Sequence, residues 1–531
     1  MSGTCPFHPP SPDLPAAKAV QRETAGLEGS SEASTPLDRE SPFLTTHYSM
    51  TKMNRIARAG KNVAVVCMAL FMMGQEIQSQ ELTIKRNKPE REAWFQSLGF
   101  GMFIHWSMDV QLGAIIGHNV AVASPDYADR YFNELPKTFN PKKFDPEEWA
   151  VLAKLAGMKY VVFVAKHHSG FCMWDSETTD FDIMNTRFHR DILSEVIQAF
   201  RKEGIAVGLY FSPDDFHFMY KQGLPLSRRI PEQMPANNPE LWKFTQRQLK
   251  ELLTKYGKID ILFLDEKDDW ANTMVANYCW DVDPDLVISR GGMETPEQKL
   301  PDQALPGPWE ACFTIGWQWQ YVAGEPYKSA TELIEMLIET RAKGGNLLLN
   351  VGPMANGELE DRQEATLREI ALWHFTNHEA VENIEPWRIV REFKTPNNND
   401  ARMVKKADVI WFTKAKDSDT VYAFLPGENW AWMERKEFLI RTLKGSDKTR
   451  VSVLGQSQVI MENQIKKDPR IFCEPTEHGL FVSVVKAQRL NKRWSNPVVL
   501  KIENVEYQGV RPFAPVYPHQ LDPVSDEGKV E

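Results

Sequence analysis

An α/β sheet or barrel followed by an all-β sandwich is the fold this sequence predicts. Three observations carry that reading. Between about residues 95 and 352, short apolar runs alternate with amphipathic helical stretches, the pattern of a parallel sheet covered by helices. Those runs are continuously apolar, which suits strands buried on both faces. After Pro386 the helical periodicity stops, and short β-type runs separated by polar turns take over to about residue 511.

Phe100–Ile104 is the first strand and runs into His105-Trp106. Asp145-Pro146-Glu147-Glu148 opens a helix: Asp caps, Pro fits the first turn, and the acids face the helix dipole. Trp149, Leu152, Ala153 and Ala156 form its apolar stripe, and Gly157 ends it. Tyr160–Ala165 is the next strand and delivers Lys166-His167-His168-Ser169-Gly170-Phe171. A helix over 190–202 follows, with Ile192, Val196, Ala199 and Phe200 inward and Gly204 closing it. Ala206–Leu209 leads into Tyr210-Phe211-Ser212. Helices are expected over 239–256 and 331–343, each closed by glycine, and 360–383 reads as a helical pair. Ile259–Leu264 leads into Asp265-Glu266, Asp285–Ile288 into Ser289-Arg290, and Gly345–Leu349 into Asn350. In the second region, strands are expected at 409–413, 420–425, 437–440, 450–454, 479–486 and 497–502. Six polar strand ends in one chain point to one site at the carboxyl edge of a parallel sheet or barrel.

The 531 residues suggest two or three domains. A net charge of −10 without a basic stripe excludes phosphate-backbone binding as a main role. The 16 Trp and 28 Phe hint at aromatic clefts of the kind that bind sugars. Cys5, Cys67, Cys172, Cys279, Cys312 and Cys473 are scattered and form no CxxC pair, so neither a zinc site, a redox pair nor a disulfide scaffold is expected. Residues 1–49 are aperiodic and rich in Pro, Ser, Thr and Ala, as in disorder. Lys52, Arg55, Arg58 and Lys61 then precede an apolar run from Val63 to Met73. A charged stretch before a short apolar one reads as a secretory signal over 50–80, too short to span a bilayer. That placement makes Met50 or Met53 the expected start, with 1–49 an over-extended frame. The expected domains are a catalytic unit at 81–385, a β-sandwich at 386–511 and a polar tail at 512–531. The expected location is secreted or periplasmic.

No Gly-rich phosphate loop, nucleophile elbow or HExxH motif appears, which leaves carboxylates and imidazoles at strand ends. Asp265 ends a buried strand and is the best candidate nucleophile. Glycosidic hydrolysis needs a second carboxyl group, and Glu294, Glu297 and Glu310 are its candidates. Glu266, Asp268 and Asp269 read as a solvated acidic loop rather than a metal site. No metal and no cofactor is expected.

Several motifs resemble, in order, those of glycoside hydrolase family 29, the α-L-fucosidases. They are Phe100-Gly101-Met102-Phe103-Ile104-His105-Trp106, residues 149–171, Gly208-Leu209-Tyr210-Phe211-Ser212, and Gly344-Gly345-Asn346 through Gly352-Pro353. The resemblance covers about residues 90–385. It implies a distorted (β/α)8-like barrel, the fold of a TIM barrel, and hydrolysis with retention. By resemblance, Asp265 is the nucleophile and Glu297 the acid/base. It also implies that His105, His167 and His168 bind sugar hydroxyls, that Arg290 steadies a carboxylate or hydroxyl, and that Phe103, Tyr210 and Phe263 wall the C6 methyl. Trp106 and Tyr127 complete the expected substrate contacts.

The chain departs from the family in places. Ser124-Pro125-Asp126-Tyr127 stands in the region of a common Glu-Trp pair, and Ser107 and Ser169 replace a common Gly and Asp. Glu266 to Trp270 follows the nucleophile where a Gly-containing turn is usual. An α-L-galactosidase acting on an algal or host polysaccharide is therefore the alternative, and a non-catalytic sugar-binding protein the alternative of another class. The expected partner is an oligosaccharide or glycoconjugate, with no nucleic acid and no membrane span.

Overall fold

The computed structural model describes residues 86–265, 269–393, 409–457, 459, 468–488 and 494–509, excluding the side chains of 269–272. The expectations for 1–49, for the signal at 50–80, for the acidic loop at Glu266 and Asp268 and for the tail at 512–531 fall outside the described residues.

Seven parallel strands form the first sheet: β1 (Phe100–Ile104), β2 (Tyr160–Lys166), β3 (Ala206–Phe211), β4 (Ile261–Leu264), β5 (Val287–Ile288), β6 (Glu310–Thr314) and β7 (Asn346–Val351). Their order is β5-β4-β3-β2-β1-β7-β6. The helices between them include α1 (Pro89–Leu98), α2 (Pro125–Asn133), α3 (Pro146–Leu155), α4 (Ile192–Lys202), α5 (Phe216–Lys221), α6 (Pro239–Lys255), α7 (Asp269–Val282), α8 (Ala330–Ala342) and α9 (Asp361–Asn377). The cap expected for α3 is present: Asp145 accepts from the backbone N–H groups of Glu147 and Glu148, at 3.0 and 3.3 Å. The helical pair expected over 360–383 is one helix followed by a single 3-10 turn at His378–Ala380. The chain near 285 supplies only the two-residue β5.

Among the described residues, seven strands stand where a (β/α)8-like barrel has eight. Residues 289–298 span the two edges instead. Ser289 N–H donates to Leu262 O at 3.0 Å, and Leu264 N–H to Arg290 O at 3.2 Å. On the other side, Glu310 N–H donates to Glu294 O and Cys312 N–H to Pro296 O, both at 3.1 Å. This irregular segment occupies the missing stave. It carries two of the expected site residues, Arg290 and Glu297.

Strand pleating sorts the side chains. Successive residues point to opposite faces, so Met102, Ile104, Val161, Phe163, Leu209, Phe211, Leu262 and Leu264 join the core beneath the helices. Phe103, Tyr160, Val162, Val164, Tyr210, Ile261, Phe263, Cys312 and Leu348 form a separate interior cluster. Strand spacing leaves little room inside: a Cβ on Gly101 would lie 2.4 Å from the Tyr160 ring.

The second region holds a five-stranded antiparallel sheet, β13-β16-β10-β9-β8, and a three-stranded one, β11-β15-β14. The strands are β8 (Ile384–Phe393), β9 (Val409–Ala415), β10 (Val421–Leu425), β11 (Arg435–Ile440), β12 (Leu443–Lys444), β13 (Arg450–Val453), β14 (Phe472–Thr476), β15 (Gly479–Val485), β16 (Val498–Glu503) and β17 (Glu506–Tyr507). Phe412, Ala423, Leu425, Phe438, Ile440, Val482, Val484 and Leu500 meet in one core between these sheets. The opposite face of the larger sheet, through Tyr422, Phe424 and Val499, joins the core of the first region.

Candidate active site

The ladder continues one residue beyond the strand ends, which fixes the groups there. His105 N–H donates to Val351 O at 3.2 Å, Ser212 N–H to Lys166 O at 3.0 Å and Asp265 N–H to Phe211 O at 3.1 Å. Interior parity then selects the site. His105 follows Phe103, Asp265 follows Phe263, and Asn350 follows Leu348, each two residues on and on the same face.

Asp265 lies at the centre, with its side chain 21% exposed. Tyr210 donates its hydroxyl to Oδ2 at 2.5 Å, Arg290 donates Nη1–H to Oδ1 at 3.1 Å, and His168 Nε2 stands 3.5 Å from Oδ2. Burial pushes the Asp265 carboxyl up, but His168, Arg290, the Tyr210 hydroxyl and Arg228 outweigh it and hold the group below the ordinary aspartate value. The second Arg290 arm donates to Glu297 Oε2 at 2.7 Å, and the Glu297 side chain is 41% exposed. One guanidinium therefore lies between two carboxylates, a partly buried one and one open to solvent. Its face rests over the Phe263 ring, 4.7 Å from the centroid.

Aromatic rings line one side. Tyr210 stacks between His167, at 5.1 Å, and Phe263, at 5.6 Å. Phe103 contacts Phe263 and Trp319, and Trp319 lies 4.7 Å from His105. His105 Nδ1 meets Asn350 Oδ1 at 2.6 Å, while Asn350 Nδ2 donates to Trp319 O at 2.6 Å. Asn350 thus orients the His105 ring and anchors the loop that brings in Trp319.

The His167-His168 pair is held from behind. His168 Nδ1 contacts Asp214 Oδ1 and Ser212 Oγ, both at 2.5 Å, and Ser212 also donates to Asp214. Arg228 Nε donates to Asp214 Oδ2 at 2.6 Å. Burial works against the Asp214 charge, yet His168, Arg228 and Ser212 hold that carboxyl far below its usual value. Beneath the pair, Lys166 Nζ lies 3.0 Å from Asp215 Oδ2, with both side chains at most 1% exposed. Gly170 closes the turn at φ +87°, where a Cβ would lie 2.1 Å from Asp215 Oδ1. Lys166→Met is expected to strand a buried Asp215 and destabilise the protein by about 3–5 kcal/mol. Thermal unfolding checks this, and an unchanged Tm would refute a supporting role for the pair.

Burial keeps His105, His118 and His167 neutral at neutral pH. Burial pulls His105 down to about 3 and His118 to about 4, and lowers His167 well below its ordinary value. Burial also lowers His217, on α5, to about 4. Unfolded imidazoles titrate near ~6.5. As pH falls through that value, the unfolded chain takes up protons that the folded chain refuses, so stability is lost. Glu310, which burial raises to about 7, has the opposite sign, as do Asp109, Asp182 and Glu392, which burial also raises, and these partly offset the four imidazoles. Tm is therefore expected to fall steadily from pH 6.5 towards 4.5. A flat or rising Tm over that window would contradict it.

A family model described as "Alpha-L-fucosidase" matches residues 69–379. The chain belongs to the α-L-fucosidase family. Its relatives are glycoside hydrolases. They include the plasma α-L-fucosidase of Homo sapiens, 28% identical over 62% of this chain and 75% of that protein, and the human tissue enzyme, 27% identical over 74% and 84%. Among solved structures, α-L-fucosidase isoenzyme 1 from Paenibacillus thiaminolyticus is 26% identical with a TM-score of 0.58, covering 78% of this chain and 99% of that one.

Within this family fold, the structure brings together Phe103, His105, His167, His168, Tyr210, Phe263, Asp265, Arg290 and Glu297. It sets two expected residues apart. Trp106 is one residue beyond His105, so parity turns it outward. It is fully buried against Phe139, Phe144 and Trp149, with its N–H donating to Met354 O at 3.1 Å. Tyr127 lies on α2, stacked on Tyr131 at the rim of another depression lined by Leu112, Arg130 and Leu135. His118 takes the place beside the histidines, 4.7 Å from the His168 ring and 5.7 Å from His167.

Two alternative acids are also misplaced. Glu310 opens β6, at the end opposite the site, and there accepts the Tyr160 hydroxyl at 2.6 Å. Glu294 bridges to Trp309, just before that same end. The strand-end pattern brought Ser212 and Asn350 to the site without giving them a role, and sequence reasoning missed Asp214, Arg228, His118 and Trp319. Parity marks Asn350 and Ser212. His118 and Trp319 arrive on long loops with no local signal.

Proposed function

We propose that this chain is a secreted exo-glycosidase that removes terminal α-L-fucosyl groups with retention. Asp265 attacks the anomeric carbon while Glu297 protonates the leaving oxygen. Glu297 then serves as base for the water that hydrolyses the glycosyl-enzyme. The observation that supports this best is the pair of carboxylates on one arginine, Asp265 held anionic below and Glu297 open to solvent above. Water and leaving group reach an exposed acid, whereas a nucleophile works best desolvated and fixed.

The neutral His105 and His167 rings have donor and acceptor nitrogens for ring hydroxyls. Phe103, Phe263 and Trp319 offer an apolar wall suited to the C6 methyl of fucose, which favours fucose over L-galactose. A hydroxyl buried there without a partner costs about 1–3 kcal/mol, or roughly a 5- to 150-fold preference for the fucoside. Rates on paired aryl α-L-fucoside and α-L-galactoside test this. Equal rates would remove the fucose assignment, and absence of turnover on either would favour a sugar-binding protein. The NMR signal of the first-formed sugar tests retention: initial β-anomer would refute it. Secretion rests on the 50–80 signal and is tested by the N-terminus of exported protein.

A further inference from the structure

His118, to which the proposed sugar contacts give no role, stands beside His167 and His168. One nitrogen from each of His118, His167 and His168 lies within 4.8 Å of the others. We propose that these three imidazoles form a binding site for a divalent transition metal such as Zn²⁺, which occupies the sugar's place and shuts the enzyme off reversibly.

Four features of the structure support this. His167 Nδ1 is buried and has no hydrogen-bond partner. His168 commits Nδ1 to Asp214 and leaves Nε2 facing Asp265, the carboxylate–histidine arrangement that orients metal-binding imidazoles. His118 is held in place by its loop: Asp109, fully buried, accepts from Gly117 N–H at 2.8 Å, Asn119 Nδ2 at 3.0 Å and the Tyr131 hydroxyl at 3.0 Å. Gly117 packs so closely that a Cβ there would lie 2.4 Å from His167 Nδ1.

The chemistry matches. Imidazole suits Zn²⁺, Cu²⁺ and Ni²⁺. Ligands about 2.0–2.1 Å from zinc sit about 3.4 Å apart in a tetrahedron, so the rings close by about 1.4 Å at most. The Asp265 carboxylate beside His168 is available as a fourth ligand, so metal and nucleophile chemistry exclude each other. The metal is an inhibitor here, and hydrolysis does not need it.

Calorimetry of the chelator-treated, dialysed full chain with Zn²⁺ alone is the test. One equivalent should bind, with His118→Asn weakening affinity about 100-fold and Asp214→Asn about 10- to 100-fold. His378→Asn, at an exposed and distant position, should bind like wild type. Co²⁺ should give visible bands of a tetrahedral site that His118→Asn loses. No saturable binding up to about 1 mM, or equal affinity in His118→Asn, overturns the site. These readouts need no turnover, so they stand apart from the fucosidase reading. Competition does rest on that reading: Zn²⁺ should raise KM for an aryl α-L-fucoside and leave kcat unchanged, and a fall in kcat at constant KM overturns the exclusion.

Discussion

Asp265→Ala is expected to lower kcat on an aryl α-L-fucoside by on the order of 10⁴- to 10⁶-fold, the loss seen when a covalent nucleophile is removed. Removing the side chain leaves a space on the face of the sugar where the carboxylate stood. Azide should enter it, attack the same carbon and release a β-glycosyl azide. A lower rate alone does not suffice, because Asp265 also pairs with Arg290 and Tyr210. The azide product separates a nucleophile from a residue that only positions its neighbours. Hydrolysis within tenfold of wild type would end the assignment.

Glu297→Ala should behave differently. A general acid contributes about 10²- to 10⁴-fold, but only where the leaving group needs a proton. The first step should be slowed most for aryl groups of high pKa and hardly at all for activated ones. A loss independent of leaving-group pKa would transfer the role elsewhere. Glu310 is a poor heir, being buried at the far end of β6 on Tyr160, and Glu294 bridges to the same end. Loss of Glu297 also frees one arm of Arg290, so KM is a useful second reading.

Much of this site was legible because strand geometry is local. A strand buried on both faces shows as an apolar run, and the residue after it is held by the last rungs of the ladder. Asp265, His105 and Asn350 follow from that rule alone. Trp106 shows its limit: one residue further, the side chain turns to the helices and becomes core. Tyr127 was placed by its position after the first strand, but distance along a long loop does not determine where a side chain goes. His118 and Trp319 reach the pocket through such loops: the first is pinned by Asp109 in the turn just before it, the second by Asn350, far away in sequence. The eighth stave was hidden for a related reason, since residues 289–298 bond to both edges without a strand's pattern.

That irregular stave also divides the machinery mechanically. Asp265 extends a regular strand, so its position is tied to the whole sheet and any shift would disturb the core. Glu297 sits on a span attached at a few rungs, Glu310 to Glu294, Cys312 to Pro296 and Gln298 to Cys312. Its length and composition can change while the sheet stays intact. If Glu297 and Asp265 hold the roles proposed above, such an arrangement lets the proton donor be relocated to suit a new leaving group, with the attacking group left where it is.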